Sequence, residues 1–177
     1  IVPFKKGVPM EGFWMATIGG LIYFDKNMST FQDVIHPDIF GRYVSSIYSG
    51  NNGDLWLYVP QSAGAIQFKT TNFYLMYGFF DPQLDFAHVK SNDKDLKSIA
   101  SNKINDILFD QKGNTWFATD KGISKLLNNS DIFNLKWEAK NANSISIARN
   151  NTLWFSHDNG VTAINNKEEE KHRWNSP

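Results

Sequence analysis

One tryptophan-centred unit recurs along this chain, and an internal repeat constrains the fold more strongly than any local propensity. Shifting the sequence by 38 residues lays NDILFDQKGNTWFATDKGISKL (105–126) on NSISIARNNTLWFSHDNGVTAI (143–164) without a gap. Ile107 falls on Ile145, Trp116 on Trp154, Phe117 on Phe155, Asp120 on Asp158 and Gly122 on Gly160. A shift of 102 adds WMATIGGLIYF, with Trp14, Ala16, Thr17, Gly20 and Leu21 on Trp116, Ala118, Thr119, Gly122 and Ile123. A shift of 60 adds SSIYSGNNGDLWLYV through Ile47, Gly53 and Trp56, after which PQSAGAIQF needs two extra residues before Gly64. Four copies result, keyed on Trp14, Trp56, Trp116 and Trp154.

Inside each copy the apolar period is two, the spacing of a strand with one buried face. A first strand (VSSIYS, INDILFD, SISIA) meets a turn rich in Asn and Gly (GNNGD, DQKGN, RNN), residues that accept positive φ, and reverses into the Trp strand. A third strand follows the repeated glycine (LIYFD, AIQFK, ISKLL, VTAIN), and a more aromatic run closes the unit (TFQDVI, FYLMY, IFNLKW, HRW). Four-stranded units with Trp-to-Trp spacings of 42, 60 and 38 residues are too small to bury both faces alone, so they must stack on one another around an axis. The expected fold is all-β: a β-propeller segment of about four four-stranded antiparallel blades at 1–36, 37–80, 103–139 and 143–177, with an insertion at 81–102. Four blades are fewer than the about seven with which such rings commonly close, so the chain reads as part of a larger propeller or as a half that pairs with another chain, ahead of a closed four-bladed ring.

The Ile-x-x-Ile strand, the Asp/Gly/Asn turn, and Trp-aromatic-Ala-Thr followed by a glycine and an alternating strand together resemble the two-component regulator propeller repeat. INDILFDQKGNTWFATDKGISKL and SISIARNNTLWFSHDNGVTAI carry the pattern, MEGFWMATIGGLIYFD matches in its second half, and the copy at Trp56 departs from it at Leu57, Tyr58, Val59 and the turn at 60–63. The resemblance implies a non-enzymatic binding or signalling module of the periplasmic sensor region of hybrid histidine kinases, many of which respond to glycans in Bacteroidota. Similar propellers occur in surface and secretion assemblies of that phylum, so a protein-interaction module is the alternative; a propeller lyase or glycosidase is a third reading.

Composition narrows the partners. Eighteen Lys and Arg balance eighteen Asp and Glu, so no net field draws the chain to nucleic acid or an anionic bilayer. The chain has no Cys, hence no disulfide framework, thiolate nucleophile or Cys-ligated metal. Its most apolar stretch, MEGFWMATIGGLIYF, is too short to span a membrane and carries Glu11 and two consecutive glycines. No basic n-region precedes an apolar core at Ile1, which reads as the start of a mature or excised segment.

Blade topology sorts the loops onto two rims. Turns between second and third strands share one rim with the connections that lead into each following blade, and that rim collects His36, His88 and His157 along with Asp120, Lys121 and Asp158. These six are the candidate ligand-binding residues, for an oligosaccharide or other small ligand; rim loops also gather such side chains by default. The repeated Trp14, Trp56, Trp116 and Trp154 are expected to pack the blade core. The interval between Trp56 and Trp116 is about twenty residues longer than the others, and its excess, FFDPQLDFAHVKSNDKDLKSIASN, is expected to lean over the binding face, with LDFAHV and DLKSIA as candidate helical turns. Asp93 and Asp95 give SNDKDLKS a faint calcium-loop flavour without the glycine and terminal Glu of an EF-hand. No carboxylate pair, Gly-x-Ser-x-Gly elbow, phosphate-binding loop or metal-ligand spacing marks a catalytic centre or cofactor.

Overall fold

Each repeat folds as a four-stranded antiparallel sheet. In the computed structural model, which describes residues 2–3, 12–26, 29–50, 53–69, 86–128, 130, 132–165, 167 and 169–175, the chain divides into two compact units, Ile1–Val89 and Lys90–Pro177. The first unit holds β1 (Val2–Pro3), β2 (Gly12–Thr17), β3 (Gly20–Asp25) and β4 (Thr30–Asp33) as one sheet, and β5 (Ser46–Ser49), β6 (Leu55–Tyr58), β7 (Ala65–Phe68) and β8 (Phe86–Val89) as the next. The second unit holds β9 (Ile104–Phe109), β10 (Thr115–Thr119), β11 (Gly122–Leu126) and β12 (Phe133–Glu138), then β13 (Ser144–Ile147), β14 (Leu153–His157), β15 (Gly160–Ile164) and β16 (Glu170–Asn175). In every sheet the strands lie side by side in chain order, the meander of a propeller blade. No helix among the described residues is long and apolar enough to cross a membrane.

Two strands differ from expectation. The expected fourth strand of the second copy, FYLMY, lies outside the described residues; the outer position beside β7 is taken by Phe86–Val89, which the sequence reading assigned to the insertion and to a helical turn. DLKSIA forms bends and turns in place of a helical turn. In the first blade the inner strand is the two-residue β1, too short to show any periodicity.

The period of two gives each sheet two faces, and the faces mate in a fixed order. In the second unit Trp116, Ala118 and Ile123 of the third blade share one cluster with Ile145, Leu153, Phe155 and Ile164 of the fourth. In the first unit the equivalents Trp14 and Leu21, with Tyr23, share a cluster with Leu55, Leu57, Ile66 and Phe68. Thus the Trp face of one blade meets an aliphatic and Phe face of the next, with Trp14 edge-on to Phe68 at 5.2 Å. Full burial of each such side chain stabilises by about 1.5–3 kcal/mol, so this seam dominates each unit's cohesion. Asp106 reinforces it in the second unit: its Oδ2 accepts from Ile145 N–H and Ser144 Oγ, both at 3.0 Å.

Turns repeat as well. At Gly122 and Gly160, with φ of 128° and 131°, a side chain would collide with the carbonyl oxygen of Trp137 and of Trp174 respectively. The turn before the Trp strand is built on Asp110, buried, whose carboxylate accepts from the N–H groups of Lys112 and Asn114, from Asn114 Nδ2 and from Trp116 Nε1. Burial alone would raise the Asp110 pKa, but these hydrogen bonds outweigh it and hold the carboxyl below its ordinary range. A depressed folded pKa means stability that is present above the unfolded value and lost as pH falls through the folded one. Asp110→Ala should therefore cost about 2–4 kcal/mol at neutral pH, because the indole and amide donors lose their acceptor. Urea titrations of both proteins should show that gap narrowing below about pH 4; a gap that stays constant into the acid range contradicts the assignment.

Candidate functional site

The second unit contains a cleft of about 680 Å³ walled by three segments: Ser91 to Ala100 of the long connection, Asp120 and Lys121 of the β10–β11 turn, and Glu138 to Lys140 at the end of β12, with Asn159 at its edge. This volume falls within the range of small-molecule sites, roughly 300–1,000 Å³.

The long connection holds its shape through its own polar side chains. Asn92 Oδ1 accepts from Lys94 N–H at 3.0 Å and Asp95 Oδ1 from Lys97 N–H at 2.9 Å, two turns in which a side chain mimics the backbone. Ser98 Oγ closes the loop by accepting from Asn92 N–H at 2.9 Å. Ala100 N–H donates to Ser124 Oγ at 3.1 Å and Phe133 N–H to the Lys97 carbonyl at 2.7 Å, which moor the loop to β11 and β12. Of the two aspartates noted for calcium, Asp95 is thus occupied in a turn and Asp93 lies 3.6 Å from Lys121 Nζ.

The opposite wall is a tight hairpin end. Thr119 Oγ1 donates to the Gly122 carbonyl and accepts from Lys121 N–H. Asn141 N–H and Ala142 N–H then bond the carbonyls of Asp120 and Thr119, clamping this turn to the chain entering the fourth blade. Asp120 Oδ1 is buried with no hydrogen-bond partner among the described residues. A buried carboxylate oxygen without a donor is costly, so the position favours any group that brings one.

Two of the six expected residues, Asp120 and Lys121, line the cleft. Asp158 stands next to it, 3.5 Å from Lys140 Nζ and accepting from Asn141 Nδ2 at 3.2 Å, so it orients a lining lysine. His157 occupies the repeat position of Thr17 and Thr119 and does the same work: its Nδ1 accepts from Asn159 N–H at 3.2 Å, as Thr17 Oγ1 accepts from Gly19 N–H at 3.1 Å. The proton then sits on Nε2, 3.0 Å from Thr162 Oγ1. His36 and His88 lie in the first unit. The His36 ring stacks on Phe86 at 4.3 Å. His88 Nε2 donates to the Ala63 carbonyl at 2.6 Å while its Nδ1 faces Asp38 Oδ2 at 3.3 Å, and Ser62 Oγ donates to the Asp38 carbonyl at 2.7 Å. These contacts pin the lengthened turn of the second copy. Lys140 and Asn159 lie on rim segments that the blade topology marks, at 140–143 and 157–160, though not among the six named candidates, whereas Glu138 carries no sequence signal.

Of the four repeat tryptophans, Trp14 and Trp116 pack into the seam with the following blade. Trp14, Trp56 and Trp116 are buried and Trp154 is half-buried against Trp174. Trp116 stacks on Trp137 at 6.2 Å, with Lys125 Nζ 4.7 Å from its ring. Among the described residues no group of three His, Asp or Glu side chains is placed to hold a metal ion.

A family profile described as two component regulator propeller matches residues 98–121. No curated protein matches the chain. Among solved structures, the extracellular domain of the hybrid two component system BT3049 from B. thetaiotaomicron is similar over 94 % of the chain and 20 % of its own length, at 18 % identity and a TM-score of 0.66. PorZ, an essential surface component of the type-IX secretion system of Porphyromonas gingivalis, is similar over 97 % of the chain and 26 % of its own, at 16 % identity and a TM-score of 0.66. Virginiamycin B lyase from Staphylococcus aureus aligns over 96 % of the chain and 54 % of its own, at 14 % identity and a TM-score of 0.58. At such identities the shared property is the propeller fold, and the chain spans a fifth to a quarter of the first two proteins.

Burial lowers the His157 pKa, with Arg173 adding to the shift against the opposing pull of Asp158 and Glu170. The neutral ring is the form that caps the turn, so its contribution is present above the unfolded value and is lost as pH falls through the lower folded one. His157→Thr should leave the melting temperature near neutral pH almost unchanged and remove a component of acid destabilisation below about pH 6.5, whereas His157→Ala should destabilise at both. A Thr variant as damaged as the Ala variant contradicts the capping role.

Proposed function

We propose that the chain is a non-enzymatic ligand-sensing module, a propeller segment of an extracytoplasmic sensor region of two-component regulator type, and that the cleft of the second unit is its ligand site. One observation carries this reading: the segment matched by the regulator-propeller profile, 98–121, supplies residues of two facing walls, Ser98 to Ala100 on one and Asp120 and Lys121 on the other. The proposed ligand is an oligosaccharide or other neutral polar molecule. The lining carries Asp93, Asp95, Asp120 and Glu138 against Lys121 and Lys140, a balance that disfavours polyanions. Hydroxyl groups suit Asp120 Oδ1, which lacks a donor among the described residues. In such a sensor, binding acts by favouring one of two arrangements of the protein, which requires different affinity for the two.

A second reading, a protein-interaction module of a surface or secretion assembly in the periplasm or beyond, is favoured by one feature: among the described residues no aromatic ring lines the cleft on which a sugar would stack. Calorimetry with neutral oligosaccharides, uronides and heparin separates the two. Saturable heat with a neutral oligosaccharide, weakened at least about tenfold by Asp120→Ala and unaffected by heparin, supports the sensor site. A flat response across the glycans supports the interaction module and removes the sensor reading.

A further inference from the structure

The seams of the two units follow one plan but are filled differently at one end. Lys125 pairs with Trp116 across β10 and β11 as Tyr23 pairs with Trp14 across β2 and β3, so it holds the repeat position of Tyr23. Ile164 pairs with Leu153 as Phe68 pairs with Leu55, so it holds the position of Phe68. In the first unit both rings close on Trp14, Tyr23 at 4.8 Å and Phe68 at 5.2 Å between centroids, and all three side chains are buried. In the second unit a lysine and an isoleucine stand in their places, with Lys125 Nζ 4.7 Å from the Trp116 ring.

Where the first seam is filled by rings, the second has a pocket. Trp116, Lys125, Leu153 and Ile164 wall a space of about 180 Å³ that opens between the β9–β10 and β13–β14 turns, at the strand ends opposite the cleft. Protein interiors hold few voids larger than a water molecule, so room of this size inside a seam departs from ordinary packing. The size suits one ring: a cavity of about 150 Å³ lined by aliphatic and aromatic side chains takes benzene. Polar groups gather at the mouth, where Gln111, Lys112 and Asn151 are exposed on the framing turns. The Asp110 carboxylate in the wall already accepts from the N–H groups of Lys112 and Asn114, from Asn114 Nδ2 and from Trp116 Nε1. Lys112 therefore supplies the exposed charge beside the opening, and that charge is positive. Apolar depth with a few polar groups at the rim is the make-up of a small-molecule site.

We infer that this pocket binds a small carboxylate carrying one aromatic ring. The ring lies against Trp116, Leu153 and Ile164, where the first seam places its own rings, and the carboxylate turns outward to Lys112. The pocket shares no lining residue with the cleft, so the inference does not rest on the sensor reading. Its walls come from both the third and the fourth blade, so occupancy stabilises their seam by mass action.

Methyl NMR of the full chain titrated with phenylacetate tests this, with acetate, which keeps the charge and lacks the ring, as comparator. Phenylacetate should shift the methyl resonances of Ile147, Leu153 and Ile164 saturably and leave those of Leu21 and Leu57, in the filled first seam, in place; acetate at the same concentration should move none. Lys125→Tyr and Ile164→Phe put back the rings of the first seam. Each, with folding checked by circular dichroism, should weaken phenylacetate binding at least about tenfold. The absence of a saturable shift, equal shifts at both seams, an equal response to acetate, or full affinity in a folded variant overturns the inference. The wild-type titration decides it alone if neither variant folds.

Discussion

Everything in this chain depends on a seam between sheets. A four-stranded meander of short strands has two faces and too little area to form a core alone, so its stability comes from the blade beside it. The solution repeats in both units: tryptophan and small or branched residues on one face, aliphatic and phenylalanine residues on the facing one. Hydrogen bonds such as those to Asp106 fix the register of the seam, while apolar burial supplies most of its strength.

That seam explains why the tryptophans were legible as core. A side chain that must occupy the same place in every blade recurs at one register position, and turns that need positive φ or leave no room for Cβ recur with it, as at Gly122 and Gly160. Most strands were legible for the same reason. The exceptions lack the property that makes a strand visible: β1 has two residues, and β8 is a half-buried four-residue strand without alternation, far along the chain from the strand it pairs.

The candidate site was legible only in part. Asp120 and Lys121 could be found because they occupy the hairpin turn that every blade directs to one rim, and the loop facing them because its length breaks the repeat spacing. Glu138 reaches the cleft through the pairing of β12 on β11, which shifts register between Ile123 and Ser124, and a shift of that kind has no signature in composition. His157 stands outside the cleft lining and caps a turn. As a residue type it suggested chemistry, but its place in the repeat is that of Thr17 and Thr119, and it makes their hydrogen bond. Repeat position is the better guide to the role of a polar residue in such a fold, and a departure from the repeat, such as the cleft-lining loop, the better guide to where a cleft forms.

The central claim is that blades cohere through this alternating seam, and the most direct measurement is a double-mutant cycle across it. Trp137 and Phe155 belong to adjacent blades of the second unit and touch ring to ring. Unfolding free energies of Trp137→Ala, Phe155→Ala and the double variant should give a coupling of about 0.5–1.5 kcal/mol, the range for an aromatic pair in contact. Strict additivity of the two substitutions would mean that the blades do not meet there and would contradict the account.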